Sequence, residues 1–360
     1  MQSVPHGRES SMQQEPSNDT ASAGAVYVQT NAAPNEVIAF RRADDGSLDR
    51  IGSVATGGAG DGTPHLQSQV LAVALTRDGQ YLLVTNAASG DLSVFSVAAD
   101  GSIEFRERVH TGSTPRSVDE SDGLVVVLNT GEPGLASFRM HDEGIAAVEG
   151  SDQALDTSDA DPAQVAFSPD GSMVVITQRG TDSVVTYEVT ADGTFGASSE
   201  VASEGPTPYG FAFTSDETLI VTEAFGAEKG AAAASSYAIE EGSLVVRSSS
   251  VGNGRSEICW AVVTPDDRFA FTTNFAEGAV SRFAITADGS LSLEDATAGI
   301  SVDGMPGLRD EDITSDGRFL YAIDADGGRI YGWSVEAEGA LEPVGSWGGV
   351  PATVAGLAAS

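Results

Sequence analysis

Asp288-Gly289-Ser290-Leu291 is the clearest copy of a four-residue unit that decides the fold of this chain. An acidic residue, a glycine and then small and apolar residues recur in this order seven times, with a period of about 49 residues. An acidic residue followed by glycine between apolar segments is a strong signal for a β-hairpin turn. The other copies begin at Asp45, Asp100, Glu143, Asp192, Glu241 and Glu338.

A second series of acidic turns lies between these copies, at Asp78, Asp122, Asp170, Asp216, Asp266 and Asp316. Each turn separates a small, apolar stretch from a β-branched one, such as Val174-Val175-Ile176-Thr177, and β-branched residues favour strands. Each repeat therefore consists of four antiparallel strands. Seven such units predict an all-β fold, a seven-bladed β-propeller with four-stranded antiparallel blades.

The two ends of the chain are predicted to share one blade. The second series has six members where the first has seven, residues 351–357 resemble an inner strand, and residues 25–28 resemble the strand that follows it. An open ring would leave an unpaired strand edge, so we expect the N- and C-terminal segments to pair and close the ring. Residues 1–24 are then a disordered polar tail, and residues 25–360 form a single propeller domain.

The charge of the chain excludes a nucleic-acid-binding function. The 360 residues include 18 basic and 53 acidic side chains, a net charge of −35, and such a surface repels phosphate. The basic residues are seventeen arginines and Lys229. The acidic surface suits either a concentrated-salt cytosol, as in an acidic proteome, or a hyperacidic protein of a mesophile. The single cysteine, Cys259, excludes a disulfide framework.

We expect a cytoplasmic monomer that contacts no membrane. No apolar run approaches 18 residues, and residues 1–24 lack the apolar segment of a secretory signal. The four histidines have no metal-ligand spacing, so we predict no metal site and no cofactor.

The loops that enter the inner strands and leave the second strands are predicted to meet on one face, around the central channel. Four arginines there suggest a pocket for a carboxylate or phosphate; alternatively, they pair with acidic residues and line a water-filled channel. The candidate substrate-binding residues are Arg116, Arg179, Arg255, Arg309, Tyr209, Asn86, Asn129 and Asn274.

Titratable side chains on the same face are candidates for catalysis. Glu223 stands where most other repeats have Asn, and a carboxylate in a partly closed channel can act as a general acid or base; alternatively, it forms a salt bridge with a channel arginine. His65 follows a glycine-rich segment and can titrate near neutral pH. The alternative for His65 is a hydrogen-bonded loop residue.

Three stretches resemble a known family over roughly residues 25–360. They are Ser168-Pro169-Asp170-Gly171, Ser256-Glu257-Ile258 ahead of a Pro-Asp turn, and Arg309 ahead of Asp316-Gly317. The chain resembles the seven-bladed lactonase propellers, which include 6-phosphogluconolactonase and the fungal carboxymuconate cyclases. The resemblance implies metal-independent ring opening or ring closing of a small anionic lactone, such as a sugar-acid lactone of carbohydrate metabolism.

The resemblance also implies site residues, with departures. The glutamate that the family has after the second strand of the fifth blade falls on Glu223. The family's histidine in the fourth blade is replaced by Asp161-Pro162-Ala163, its Arg-His pair in the fifth blade by Tyr209-Gly210, and its arginine after Asn274 by Phe275.

Two hypotheses follow from the sequence. In the first, a divergent lactone hydrolase or cyclase uses Arg116, Arg255 and Arg309 to hold the anionic substrate, and Glu223 or Glu257 activates water. In the second, a non-catalytic propeller binds a small anion or a protein partner. Arginines without acidic partners favour the first hypothesis, and arginines neutralised by Glu257, Glu311 and Asp324 favour the second.

Overall fold

The computed structural model describes residues 23–63, 71–141, 144–155, 158–301 and 304–360. In this part of the chain, strands β1–β29, numbered in chain order, form seven antiparallel sheets. The inner strands of successive sheets contact one another around a closed ring. The prediction of an all-β, seven-bladed propeller is therefore confirmed.

Among the first three blades, blade 1 takes its inner strand from the C-terminus and blade 3 has a split outer strand. Blade 1 contains β1 (Gly24–Gln29), β2 (Glu36–Arg42), β3 (Leu48–Ala55) and, innermost, β29 (Ala355–Ala359). Blade 2 contains β4 (Val73–Leu75), β5 (Tyr81–Asn86), β6 (Asp91–Val97) and β7 (Ile103–His110). Blade 3 contains β8 (Pro115–Ser121), β9 (Leu124–Asn129), β10 (Gly134–His141), β11 (Gly144–Ala147) and β12 (Gln153–Ala154). Both β11 and β12 pair with β10, so the outer strand of blade 3 is split.

Blades 4 to 7 each contain four consecutive strands. Blade 4 contains β13 (Pro162–Phe167), β14 (Met173–Gln178), β15 (Ser183–Val189) and β16 (Phe195–Ala202). Blade 5 contains β17 (Pro208–Phe213), β18 (Leu219–Glu223), β19 (Ala233–Glu240) and β20 (Ser243–Gly252). Blade 6 contains β21 (Ile258–Val263), β22 (Phe269–Asn274), β23 (Ala279–Ile285) and β24 (Leu291–Ile300). Blade 7 contains β25 (Leu308–Ile313), β26 (Phe319–Asp324), β27 (Arg329–Val335) and β28 (Leu341–Gly348).

The ring closes in blade 1, where the C-terminal β29 pairs with the N-terminal β1. The inner strand begins four residues later than expected, because the Val354 amide donates to the Pro351 carbonyl in a turn. β1 begins at Gly24, the last residue assigned to the tail. Residues 1–22 lie outside the described residues, so the tail stays a prediction.

The core consists of apolar clusters between neighbouring blades. In β5, for example, Leu82 and Val84 pack towards blade 1, whereas Leu83 packs towards blade 3. A middle strand is thus covered on both faces, which explains why its sequence is a continuous apolar run. None of the helical structure in the described part of the chain is long or apolar enough to span a bilayer.

The acidic turns lie where the repeats predict them. In the turn between β23 and β24, Gly289 has φ +81°, a conformation that glycine adopts without steric cost. The Asp288 carboxylate accepts hydrogen bonds from the Thr286 hydroxyl and the Ser290 amide. The turn residues therefore fix the hairpins locally, and the loops at the opposite ends of the strands are left to form the site.

Candidate active site

A backbone kink precedes the inner strand in most blades. Thr114, Asp161, Thr207 and Glu257 have φ between +40° and +59°, and each directly precedes the first residue of an inner strand. A register shift follows within the first residues of each of these strands. Bulges of this kind redirect side chains, and here they place one residue per blade at the same position, namely Arg116, Ala163, Tyr209, Cys259 and Arg309.

A cavity of about 510 Å³ opens beside these residues, on the face opposite the acidic turns. Blades 4 to 7 contribute its walls. Its polar lining includes Arg179, Glu257 and Arg309, and its apolar lining includes Trp260 and Phe275. The other lining residues are Thr207, Tyr209, Ala224, Gly226, Ala227, Ile258, Cys259 and Asp326.

Tyr209 connects the charged and aromatic parts of the cavity. The Arg179 guanidinium lies 5.2 Å from the centre of its ring, and the Trp260 ring meets it edge-on at 5.3 Å. The hydroxyl of Tyr209 is buried and has no hydrogen-bond partner among the residues that the structure describes. Burial raises the pKa of Tyr209, so at neutral pH the hydroxyl stays protonated and can donate a hydrogen bond.

Glu257 presents a carboxylate to the cavity. Among the described residues this half-buried carboxylate forms no hydrogen bond or ion pair. Its backbone carbonyl accepts a hydrogen bond from the Phe275 amide at 2.9 Å, which fixes the residue at the rim of blade 6. Burial, and secondly the negative charge of Glu277, raise the pKa of Glu257. A carboxylate with a raised pKa and no partner is suited to accept a proton from water.

The arginines of the site are held by other groups. Arg179 forms an ion pair with Asp161 at 2.7 Å, and Arg116 with Asp61 at 3.1 Å. The Nη2 atom of Arg309 donates to the Val354 carbonyl at 2.7 Å. Arg116 and Arg179 thus pair with loop carboxylates other than Glu257, Glu311 and Asp324.

Cys259 is unsuited to nucleophilic attack, although it lines the cavity. Burial raises the pKa of its thiol, and the charge of Arg309 only partly opposes this effect. Reactive cysteines need the opposite shift. Among the described residues, no group of three His, Cys, Asp or Glu side chains is placed to hold a metal ion.

The structure brings together four of the residues expected from the sequence, Arg179, Tyr209, Glu257 and Arg309, whereas Arg116 does not line this cavity. Arg255 does not line this cavity, because its guanidinium binds the Ala296 carbonyl and the Thr297 hydroxyl of β24. His65 lies outside the described residues.

Glu223 lies inside blade 5 and does not line the cavity. It is fully buried, and its carboxylate accepts hydrogen bonds from the hydroxyls of Ser235 at 2.5 Å and Ser250 at 2.6 Å. Burial raises its pKa, although these hydroxyls act in the opposite direction. These contacts favour a structural role over the acid–base role expected from the sequence.

The asparagines have the same structural role as Glu223. Asn86, Asn129, Glu223 and Asn274 are each the last residue of a second strand. Asn86 donates to Ser93 and Asn274 to Ser281, at 2.8 and 2.9 Å, and these serines occupy the same position in their third strands as Ser235. Asn129 donates to the Thr111 carbonyl at 2.8 Å. The side chains of Asn86 and Asn274 also accept hydrogen bonds from Asn35, Thr56 and Asn253 in neighbouring segments, and contact of the three asparagines with substrate stays a prediction.

Sequence reasoning missed Trp260, Phe275, Cys259 and Asp326 as parts of the cavity wall. One signal was available for Cys259. If the repeats are aligned on the residue before the inner strand, Cys259 falls in the same column as Tyr209 and Arg309. Phe275 and Asp326 lie in loops that leave second strands, on the face where the sequence predicts the site, but their residue types did not mark them as lining residues.

A closed seven-bladed ring with a polar cavity at one end defines a propeller with a ligand site at the channel mouth. The family described as "Lactonase, 7-bladed beta-propeller" matches residues 22–145, 145–224 and 222–354. The chain belongs to this family.

Solved structures share the fold at low sequence identity. A "putative 6-phosphogluconolactonase" from Bacteroides fragilis has a TM-score of 0.70 and 18% identity, with 96% of this chain and 100% of that chain covered. The periplasmic gluconolactonase PpgL from Pseudomonas aeruginosa has a TM-score of 0.66 and 18% identity, with 93% and 98% covered. A functionally unknown protein from Desulfotomaculum acetoxidans has a TM-score of 0.70 and 15% identity, with 93% and 98% covered. No curated protein matches the sequence.

Proposed function

We propose that the protein is a lactone hydrolase that opens a small anionic lactone in the cavity of blades 4 to 7. The observation that carries the proposal is the Glu257 carboxylate, which has no partner among the described residues and lines the same cavity as Arg179 and Arg309. When water attacks an ester carbonyl, a base can take the proton from water, and positive groups can stabilise the charge on the carbonyl oxygen. The cavity contains one carboxylate and two guanidinium groups for these roles. Membership of the lactonase family supports the same reaction class.

Glu257, Arg309 and Arg179 each have one role in the proposed reaction. Glu257 takes a proton from water as the water oxygen bonds to the lactone carbonyl carbon. Arg309 stabilises the negative charge that develops on the carbonyl oxygen, and Arg179 holds the anionic substituent. Collapse of the tetrahedral intermediate breaks the ring C–O bond, and the proton on Glu257 passes to the departing alkoxide. The product is a hydroxy acid.

Substitution of Glu257 tests the proposal. We expect Glu257→Gln to lower kcat about 100-fold or more, because an amide cannot accept the proton from water. The wild-type rate rises with pH through a pKa above that of an ordinary glutamate, since burial raises the Glu257 pKa. Lactone hydrolysis followed by pH-stat with a panel of lactones measures both effects, at low and at molar KCl.

Glu228→Gln is the matched control. Glu228 is an exposed carboxylate on the same face and does not line the cavity, so this variant should keep the wild-type rate. Full activity of Glu257→Gln would contradict the proposed role of Glu257. Ligand binding without turnover of any lactone would favour the non-catalytic alternative.

A further inference from the structure

The charges around the cavity do not suit a phosphorylated ligand. The positive charges of Arg179 and Arg309 are matched by the negative charges of Glu257 and Asp326 in the lining, and Asp161 pairs with Arg179. A phosphate monoester carries a charge of about −1.5 to −2 at neutral pH. The net charge of −35 on the whole chain adds further repulsion. A ligand with at most one negative charge fits better.

Tyr209 and Arg179 define where a single charge would bind. Among the described residues, the buried Tyr209 hydroxyl has no hydrogen-bond partner. The Arg179 guanidinium lies 5.2 Å from the centre of the Tyr209 ring, and both residues line the cavity. A buried donor without a partner costs free energy until a ligand pairs with it. A carboxylate offers two acceptor oxygens, one for the hydroxyl and one for the guanidinium.

Much of the remaining wall is apolar. Trp260, Phe275 and Ile258 face the cavity from blade 6, and Ala224 and Ala227 face it from the loop after β18. A sugar hydroxyl placed against such side chains loses its hydrogen bonds to water and gains none. A hydrocarbon ring or chain gains from the same contact.

We propose that the cavity takes an unphosphorylated lactone that has an apolar body and a single carboxylate, and that it discriminates against sugar phosphates. This inference rests on the proposed function, because it assigns a substrate class to the same site. The carboxylate binds to Tyr209 and Arg179, and the apolar body packs on Trp260 and Phe275.

Binding of unreactive ligands tests the inference without turnover. Cyclohexanecarboxylate, cyclohexanecarboxamide, gluconate and 6-phosphogluconate are titrated by calorimetry, and weaker binding to Trp260→Ala shows that a ligand enters the cavity. We expect cyclohexanecarboxylate to bind at least about tenfold more tightly than gluconate or 6-phosphogluconate. Equal or tighter binding of 6-phosphogluconate would overturn the inference, and so would an absence of cyclohexanecarboxylate binding.

Two variants test the parts of the cavity separately. Tyr209→Phe should weaken cyclohexanecarboxylate about tenfold and the uncharged carboxamide much less. Tyr81→Phe, in β5 and away from the cavity, is the matched control. Phe275→Arg should shift the preference towards 6-phosphogluconate. Equal losses for the acid and the amide in Tyr209→Phe would contradict the carboxylate site.

Turnover separates the two proposals. If γ-phenyl-γ-butyrolactone carboxylate is hydrolysed faster than 6-phosphogluconolactone, both proposals are supported. If 6-phosphogluconolactone is the better substrate, the hydrolase function stands and the assigned substrate class is wrong. If cyclohexanecarboxylate binds but no lactone is opened, the ligand class stands and the hydrolase function fails.

Discussion

Glu223 and Glu257 are both glutamates at strand ends on the channel face, yet their surroundings give them different roles. Glu223 ends β18, and its carboxylate accepts hydrogen bonds from two serine hydroxyls inside the blade. Glu257 precedes β21 and lines the cavity. The position of each residue in its blade, rather than residue type, gives the two carboxylates different surroundings. Burial raises the pKa of both carboxyls, so a raised pKa alone does not identify the base.

Substitution of Glu223 should therefore affect stability and not catalysis. We expect Glu223→Ala to lower the free energy of unfolding by about 3 kcal/mol, because it leaves the Ser235 and Ser250 hydroxyls without their acceptor. Glu223→Gln keeps one acceptor oxygen and should cost less. Thermal unfolding and the rate per folded molecule measure the two effects. A stable but inactive Gln variant would restore Glu223 to the acid–base role expected from the sequence.

At the scale of elements, the C-terminal segment with β29 is bound by side chains of β25 and β2. The Asp310 and Asp312 carboxylates of β25 accept hydrogen bonds from the Gly356 and Ala359 amides. The Arg42 guanidinium of β2 donates to the Ser360 carbonyl at 2.9 Å. All five residues of β29 are buried. The strand is thus bound to blade 7 as well as to its own blade.

Removal of residues 355–360 should abolish the cooperative unfolding transition. The deletion exposes the edge of β1, removes the amides that donate to two buried carboxylates and removes one acceptor of Arg42, and the loss is comparable to a typical folding stability of about 5–15 kcal/mol. Circular dichroism during heating and size-exclusion chromatography measure the outcome. A chain lacking residues 1–22 is the control and should unfold like the wild type. A cooperative transition like that of the wild type after loss of β29 would show that the fold does not need this strand.

At the scale of the whole molecule, several buried carboxyls bind protons more tightly in the folded state. Burial raises the pKa of Asp310 to about 6, although the charge of Arg309 and the Gly356 amide partly oppose this effect. Burial likewise raises the pKa of Asp119 to about 6 and the pKa of Glu311 well above its ordinary value. Because the folded chain then holds more protons than the unfolded chain, its stability falls as the pH rises.

The Tm should therefore decrease as the pH is raised from 4 to 8 at constant 1 M KCl, which screens the surface charges. The contribution of Asp310 is fully present below about pH 4 and is lost as the pH rises through about 6. Asp310→Asn should flatten the slope by up to about 1.4 kcal/mol per pH unit in that range, since the amide oxygen still accepts the Gly356 hydrogen bond. Asp49→Asn, at an exposed position in β3, should keep the wild-type slope. An unchanged slope in Asp310→Asn would contradict the raised pKa.

The sequence by itself determined the number of blades, the four-stranded pattern and the blade that closes the ring. These features depend on turn chemistry and strand alternation, which act over a few residues and repeat along the chain. The family was expected from the resemblance of three short stretches within these repeats.

Only the tertiary structure decided which polar residues form the site. Arg116, Arg255 and Arg309 were all expected at the site, but only Arg309 lines the cavity with Tyr209, whereas Arg255 binds β24 and Arg116 pairs with Asp61. Phe275 and Asp326 join the wall because loops from two blades meet across the cavity. Such contacts depend on how the blades are arranged in space, and no local pattern of residues specifies them.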